Sequence, residues 1–136
     1  HSKQIAFPGG KHDLEDENLE HTALRETLEE VGVSNITILG QLTEVYIEPS
    51  NFMVYPYVGF LNHTPNFILQ KTEVDAIIEY PISMLKEEVI VQKMKVKTAL
   101  YGEFTVPVFN INNKKVWGAT AAVLSEFKEL INSIHF

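Results

Sequence analysis

The chain has 136 residues with 18 acidic and 11 basic side chains, which gives it a net charge of −7 at neutral pH. We expect one domain over residues 1–136, because this length supports a single core and is short for two. The excess of acidic residues argues against nucleic acid and anionic membranes as partners, since both attract basic surfaces. The absence of cysteine and of an apolar run of membrane length predicts a cytoplasmic protein.

The chain opens with a predicted strand and a predicted helix joined by a glycine-rich turn. In residues 1–7, Ile5 and Phe7 alternate with Gln4 and Ala6, and the segment runs into Pro8-Gly9-Gly10, which is typical of a strand that ends in a turn. We expect the helix to start with Asp16 as its cap, because a carboxylate can accept the free amides of a first turn. Gly32 would end the helix in a left-handed turn.

This helix has one acidic face and one apolar face. Glu26, Glu29 and Glu30 stand at i, i+3 and i+4, so their carboxylates share a face, while apolar residues from Leu24 to Val31 recur at i, i+4 and i+7 on the other. Three like charges at this spacing repel one another. A hard divalent cation such as Mg²⁺ would convert that repulsion into ligation. The alternative is an acidic face that is merely solvated.

The rest of the chain predicts further strands and two helices. Strands are expected over Ile36–Ile47, Met53–Leu61, Glu73–Tyr80, Val89–Val96, Phe104–Ile111 and Lys114–Trp117, with helices over Pro81–Lys86 and Ala119–Ile134. Asn112-Asn113 indicates a tight hairpin, and Pro56 indicates an edge or a bulge. Val123, Phe127 and Ile131 stand at helical spacing in the last helix and are expected to pack in the core. Together these elements predict an α/β protein, an α/β/α sandwich built on a mixed β-sheet.

The loop and helix carry a recognisable motif. Arg25, the three helix glutamates and Gly32 fall in the order R-E-x-x-E-E-x-G, and Gly10 lies upstream of them. The stretch resembles the Nudix box. This is the signature of Mg²⁺- or Mn²⁺-dependent hydrolases that cut a diphosphate linked to another group. Six residues separate Gly10 from Glu17, one more than the box has before its first acid. The resemblance also implies N-terminal strands that this chain lacks, and the open sheet edge would allow a homodimer.

A narrower resemblance points to the coenzyme A pyrophosphatase branch of the family. It rests on the turn Gln4-x-x-Phe7-Pro8-Gly9-Gly10 and on the one-residue-longer loop with Asp13 and Asp16. It also rests on Thr22–Glu26, Val54–Gly59, Glu73-Val74 followed by Pro81-x-x-x-Leu85, and Val116–Ala121. The resemblance implies hydrolysis of coenzyme A or acyl-CoA to phosphopantetheine and adenosine 3',5'-bisphosphate. Lys3 stands where this branch usually has glycine, and the branch's upstream arginine-bearing strand is absent. Other hydrolases of nucleoside diphosphate derivatives, acting on ADP-ribose, nucleotide sugars or dinucleoside polyphosphates, and a non-catalytic nucleotide-binding Nudix regulator remain alternatives.

The motif suggests a role for each polar side chain. The metal ligands are expected to be Glu26, Glu29 and Glu30 with the carbonyl of Gly10, and Arg25 is expected to orient a carboxylate. The general base is expected to be a box glutamate, with Glu26 the first choice, or Glu73, since a base must lie within hydrogen-bond reach of the attacking water. Glu73 could equally be a metal ligand or a surface carboxylate without a role.

The candidates for substrate binding lie outside the helix. Lys11 is a candidate contact for a phosphate. Tyr46 and Phe52 flank the first predicted hairpin loop and are candidates for stacking on the substrate. Trp117 is expected to pack in the core rather than to serve as an adenine platform.

Overall fold

The computed structural model of the chain describes residues 4–47, 50–87, 91–99 and 102–134. The elements in chain order are α1 (Leu19–Val31), β1 (Thr37–Gln41), β2 (Val45–Ile47), β3 (Phe52–Val54), β4 (Tyr57–Phe60), α2 (Ile82–Leu85), β5 (Val91–Thr98), β6 (Gly102–Ile111), β7 (Lys114–Val116) and α3 (Gly118–Asn132). The α/β class predicted from the sequence is confirmed. Among the described residues, no helix is both long enough and apolar enough to cross a bilayer.

The described strands pair only in antiparallel fashion. They form the pairs β1–β4 and β2–β3 and the three-stranded sheet β5–β6–β7. The parallel pairs that a mixed sheet requires are not seen in this part of the chain. By contacts the chain divides into two compact units, one of residues 1–44 and 55–78 and the other of residues 45–54 and 79–136.

The first unit contains α1, β1 and β4. Its buried apolar side chains include Val31, Val33 and Leu42. The apolar face expected on α1 is only partly buried, since Leu28 is 50% exposed and borders an open groove of about 400 Å³. Helical periodicity identified the face correctly at Val31, but it does not determine how much of that face other elements cover.

The second unit contains the β2–β3 hairpin, the β5–β6–β7 sheet, α2 and α3. Phe109 on β6 is fully buried, and Val123 and Ile131 of α3 are buried as their helical spacing predicted. Helix α3 contacts β6 and β2. Asn112 and Asn113 have φ values of 51° and 66° and form the tight turn between β6 and β7, which confirms the hairpin predicted there.

Three predicted strands differ from the structure. Residues 4–7 do not form a strand, and residues 1–3 lie outside the described part. Residues 73–80 are also not a strand, and a turn occupies residues 71–73. The strand predicted over Met53–Leu61 is interrupted at Tyr55 and Pro56, so that β3 pairs with β2 whereas β4 pairs with β1. A proline cannot donate to a strand ladder, which favours a break at this point.

The other predicted elements agree more closely with the structure. The short helix after Pro81 is confirmed as α2, with Pro81 at its cap position. Positions 89 and 90, where the strand predicted over 89–96 starts, lie outside the described residues. Trp117 was predicted to pack in the core, and that was wrong: it precedes α3 as its cap residue and is 51% exposed.

Candidate active site

Helix α1 begins and ends with local hydrogen bonds that fix its boundaries. Asn18 is the N-cap, and its side chain accepts the amide of His21 at 2.8 Å. The expectation that Asp16 caps the helix was therefore wrong. Gly32 ends the helix with φ of 73°, and its amide donates to the Leu28 carbonyl at 3.0 Å, which confirms the left-handed end.

Asp16 is instead the centre of a buried hydrogen-bond network. Its side chain is 1% exposed and accepts both Nε (2.8 Å) and Nη2 (3.0 Å) of Arg25. It also accepts the hydroxyl of Thr22 and the amide of Asp13, each at 2.8 Å. The paired guanidinium holds the pKa of Asp16 well below its usual range, with the other hydrogen bonds adding to the effect. Asp16 is therefore a fixed negative charge.

Arg25 connects this buried carboxylate to the glutamates of the helix. Its Nη1 lies 3.2 Å and 3.3 Å from the two carboxylate oxygens of Glu29 and 3.4 Å from Oε2 of Glu26. Its Nη2 also donates to the Lys11 carbonyl at 3.1 Å. The hydrogen bond with Asp16, followed by those with Glu29, raises the pKa of Arg25 above its ordinary value. These are the contacts of a residue that orients carboxylates, the role expected for Arg25.

The glycine turn lies against the acidic face of α1. The amide of Gly9 donates to Oε1 of Glu30 at 3.2 Å. A Cβ added at Gly10 would lie 2.2 Å from Oε2 of Glu26, so the carboxylate of Glu26 lies directly against Gly10. The turn and the helix therefore form one site, and a side chain at position 10 would displace the carboxylate of Glu26.

The carboxylates of this site influence one another. Burial raises the pKa of Glu30, the Gly9 amide partly opposes the shift, and the nearby charges of Glu26, Glu73 and Glu29 raise the pKa further. Glu73, which belongs to a turn outside the helix, is thus near enough to act on Glu30. This concentration of negative charge around a partly buried carboxylate is what a bound cation would neutralise.

The side chains are not gathered around a preformed cation site. Among the described residues, no three Asp, Glu or His side chains converge closely enough to hold an ion as they stand. Glu29 points to Arg25 and Glu30 to the Gly9 amide, because carboxylates that repel each other turn to the available donors. The oxygen donors nevertheless fit a hard divalent cation, since Mg²⁺ takes a few carboxylates and leaves other positions to water and phosphate.

These observations can be compared with known families. The sequence profile of the NUDIX domain matches residues 1–100. The chain belongs to the Nudix family. Divalent metal ions are general cofactors of Nudix hydrolases. The resemblance to the Nudix family that the box residues indicated is therefore confirmed.

Several curated Nudix proteins are similar to the chain. Nudix hydrolase 3 of Caenorhabditis elegans is 30% identical over 152 residues, covering 97% of this chain and 62% of that protein. The human mitochondrial coenzyme A diphosphatase NUDT8 is 34% identical over 131 residues, covering 93% and 55%. The peroxisomal coenzyme A diphosphatase ndx-8 of Caenorhabditis elegans is 36% identical over 92 residues, covering 65% and 39%. The chain thus spans between two fifths and two thirds of the length of these relatives.

The structure explains the irregular spacing of the Nudix box in this chain. Five residues separate Gly10 from Asp16, and six separate it from Glu17. Asp16 binds Arg25, whereas Glu17 is exposed and its amide donates to the ring of His21 at 3.0 Å. Asp16, rather than Glu17, is therefore the loop acid that binds Arg25. From the sequence, Asp16 was expected only as a helix cap and as part of the longer loop, and the signal for its contact with Arg25 was its five-residue spacing from Gly10.

The three substrate-binding candidates are all exposed. Lys11 is exposed on the loop that follows Gly10. Tyr46 and Phe52 lie in the β2–β3 hairpin of the second unit, both at least partly exposed. Tyr46 pairs with Met53 and Ile47 with Phe52, so the two aromatic rings lie on opposite faces of the hairpin. They cannot both stack on one ring of the substrate from the same face.

Proposed function

We propose that this chain is a divalent-metal-dependent Nudix hydrolase that cleaves a diphosphate linkage, with coenzyme A or its thioesters as substrate. The observation that carries the proposal is the closure of the Gly9-Gly10 turn on the acidic face of α1 in a chain of this family. All three helix glutamates are present, at positions 26, 29 and 30. A module that only bound a nucleotide would not need three repelling carboxylates on one face.

In this proposal the metal is held by Glu26, Glu29 and Glu30 with the carbonyl of Gly10. When bound, the cation would neutralise phosphate charge and lower the pKa of a coordinated water. Arg25 keeps Glu26 and Glu29 turned towards each other, because its Nη1 reaches both. Such supporting groups affect metal affinity or activity by about 10- to 100-fold in other sites.

The proton of the attacking water needs an acceptor. Glu26 is our first candidate because its carboxylate lies against Gly10 at the centre of the site. Glu73 is the second, because it is exposed and its charge acts on Glu30. Water then adds to one phosphorus, and the bond from that phosphorus to the bridging oxygen breaks. Positioning and electrostatics account for most of such catalysis.

Support for coenzyme A comes from the sequence motifs and from two relatives that are named coenzyme A diphosphatases. Lys11 is proposed to contact a phosphate, and either Tyr46 or Phe52 to stack on the substrate. The expected products are phosphopantetheine and adenosine 3',5'-bisphosphate. ADP-ribose, nucleotide sugars and dinucleoside polyphosphates are the alternative substrates, because cleavage of their diphosphates needs the same metal and carboxylates.

We further propose that residues 1–136 form one Nudix domain that acts without nucleic acid or a membrane and is able to form a homodimer. The match to the family over residues 1–100 includes all of the first compact unit and part of the second, which supports a single domain. The cytoplasm is the compartment that the sequence favours. Two relatives are named as mitochondrial and peroxisomal proteins, so other compartments are alternatives.

The test is hydrolysis of coenzyme A by the purified chain with Mg²⁺ or Mn²⁺, with chromatographic detection of adenosine 3',5'-bisphosphate. Glu30→Gln should lower kcat by about 100-fold or more, since a charged metal ligand is lost. Glu15→Gln, at an exposed loop position, is the matched control and should keep full activity. If folded, metal-loaded protein hydrolyses none of the candidate diphosphates, the chain is a nucleotide-binding module instead.

A further inference from the structure

Gly32, the residue that ends α1, lies against a second segment of the same compact unit. Its φ of 73° lies in the left-handed region. A Cβ added there would lie 2.8 Å from the Cβ of Ile68 and 3.0 Å from both its backbone nitrogen and its backbone oxygen. The segment can therefore approach the end of the helix this closely only because residue 32 has no side chain.

The segment from Ile68 to Val74 binds to the end of α1 through its backbone. The amide of Ile68 donates to the Val31 carbonyl and the amide of Gln70 donates to the Glu30 carbonyl, each at 2.9 Å. These are carbonyls that the last turn of a helix leaves without a partner. The same residue, Glu30, thus contributes its side chain to the candidate metal site and its backbone to this attachment.

A turn begins at the attached residue and ends near the site. The carbonyl of Gln70 accepts the amides of Glu73 and Val74 at 2.9 Å and 2.8 Å. Two successive hydrogen bonds, from Gln70 to Glu30 and from Glu73 to Gln70, therefore link the backbone of Glu73 to that of Glu30. Its charge also acts on the Glu30 carboxylate, in agreement with this geometry.

We propose that Gly32 is a positioning residue that places Glu73 beside Glu30 by allowing the 68–74 segment to attach to the end of α1. The inference rests on the proposed hydrolase function. It assigns a role in catalysis to Gly32, a residue that does not touch the substrate. Because Glu73 is exposed, its place is determined by the backbone that carries it. A side chain at position 32 would move that backbone, and a carboxylate moved by about 1 Å can cost on the order of 100-fold in rate.

The experiment is a double-mutant cycle with coenzyme A as substrate, using Gly32→Ala, Glu73→Gln and the double variant. We expect each single change to lower kcat by about 10-fold or more with less than a two- to threefold change in KM. The kcat of the double variant should lie within about twofold of the kcat of the poorer single variant, because both changes remove the same carboxylate from its place. Gly102→Ala is the control, since Gly102 has φ of 72° and a Cβ there meets no described atom within 4 Å.

Hydrogen exchange gives a second readout that does not depend on turnover. The amides of Ile68 and Gln70 should exchange about 10-fold faster or more in Gly32→Ala and unchanged in Glu73→Gln and Gly102→Ala. Three results would each overturn this inference while leaving the hydrolase in place. They are unchanged exchange in Gly32→Ala, full activity of Glu73→Gln, and effects on kcat that multiply in the double variant. Wild-type protein without turnover of any candidate diphosphate would overturn the proposed function, and this inference with it.

Discussion

The carboxylate of Asp16 and the guanidinium of Arg25 face each other in a two-point contact, with Nε at 2.8 Å from Oδ1 and Nη2 at 3.0 Å from Oδ2. This paired geometry leaves Nη1 of Arg25 to reach Glu29 and Glu26. A buried residue in the loop thus determines the direction of side chains on the exposed face of the helix. Since Arg25 is the sole arginine of the chain, no other guanidinium can replace it.

The first prediction concerns the charge of Asp16. Asp16→Asn should lower Tm at pH 7 by about 5–15 °C, because the partly buried guanidinium of Arg25 loses its charged partner. A lowered pKa in the folded state means that the wild-type stabilisation is complete above the ordinary carboxyl value of about 4 and is lost as the pH falls below it. The gap in Tm between wild type and variant should therefore shrink between pH 4 and pH 2. Asp13→Asn, exposed in the same loop, is the control, and an equal loss in that variant would contradict the assignment.

The second prediction separates the charge of Arg25 from its geometry. Arg25→Lys keeps the positive charge but cannot hold Asp16 at two points and Glu29 at the same time. We expect kcat to fall by about 10- to 100-fold while KM changes little, because carboxylates that Arg25 orients are disturbed and substrate contacts are not. Steady-state kinetics with coenzyme A measure both constants. A rise in KM at constant kcat would instead indicate that Arg25 binds the substrate directly.

The third prediction uses the two adjacent glycines of the turn. Gly10→Ala places a methyl group where the Glu26 carboxylate lies, whereas a Cβ at Gly9 meets no described atom within 4 Å. Gly10→Ala should lower kcat by about 10- to 100-fold through displacement of Glu26. Its Tm should change little, because the end of a flexible side chain can move. Gly9→Ala keeps the amide that binds Glu30 and should remain close to wild type; equal activity of the two variants would be inconsistent with this account.

The fourth prediction concerns the stability of the metal-free protein. A raised pKa in the folded state makes ionised Glu30 unfavourable for folding, so its contribution to stability falls as the pH rises above the ordinary carboxyl range. Glu30→Gln keeps an acceptor for the Gly9 amide and removes the charge. In the presence of a chelator it should raise Tm at pH 8 by about 2–5 °C.

The same pair of proteins provides the test of this assignment by calorimetry. At pH 4, where the wild-type carboxylate takes up its proton, the difference in Tm should disappear. Addition of Mg²⁺ at pH 8 should stabilise the wild type more than the variant, because ligand binding to the folded state adds to its stability. A variant that is less stable than wild type at pH 8 without metal would refute the assignment.

The fifth prediction concerns a buried lysine in the second compact unit. Nζ of Lys128 donates to the carbonyls of Leu85 and Glu87 at 2.7 Å and 2.8 Å and so attaches α3 to the end of α2. Lys128→Met keeps much of the side-chain volume but leaves both carbonyls unpaired, which should lower the free energy of unfolding by about 1–3 kcal/mol. Lys114→Met, at an exposed position on β7, is the matched control for chemical denaturation. A similar loss in both variants would mean that the hydrogen bonds of Lys128 contribute little.

Local patterns in the sequence determined the features that depend on near neighbours. The spacing of Glu26, Glu29 and Glu30 requires them to share a helix face, and Gly32 ended α1 as expected because few other residues adopt its backbone angles. The same reasoning held for the hairpin at Asn112-Asn113 and for the buried stripe of α3. Each of these outcomes depends on backbone preferences within a few residues.

Only the tertiary structure decided which distant groups meet. The partner of Asp16 is Arg25, nine positions along the chain, and Glu73 reaches Glu30 through a backbone attachment that has no sequence signature. Trp117 was predicted to be buried and is half exposed. Hydrophobicity and charge determine what a side chain favours, but its actual neighbours depend on how separate elements pack, and that information is spread over the whole chain.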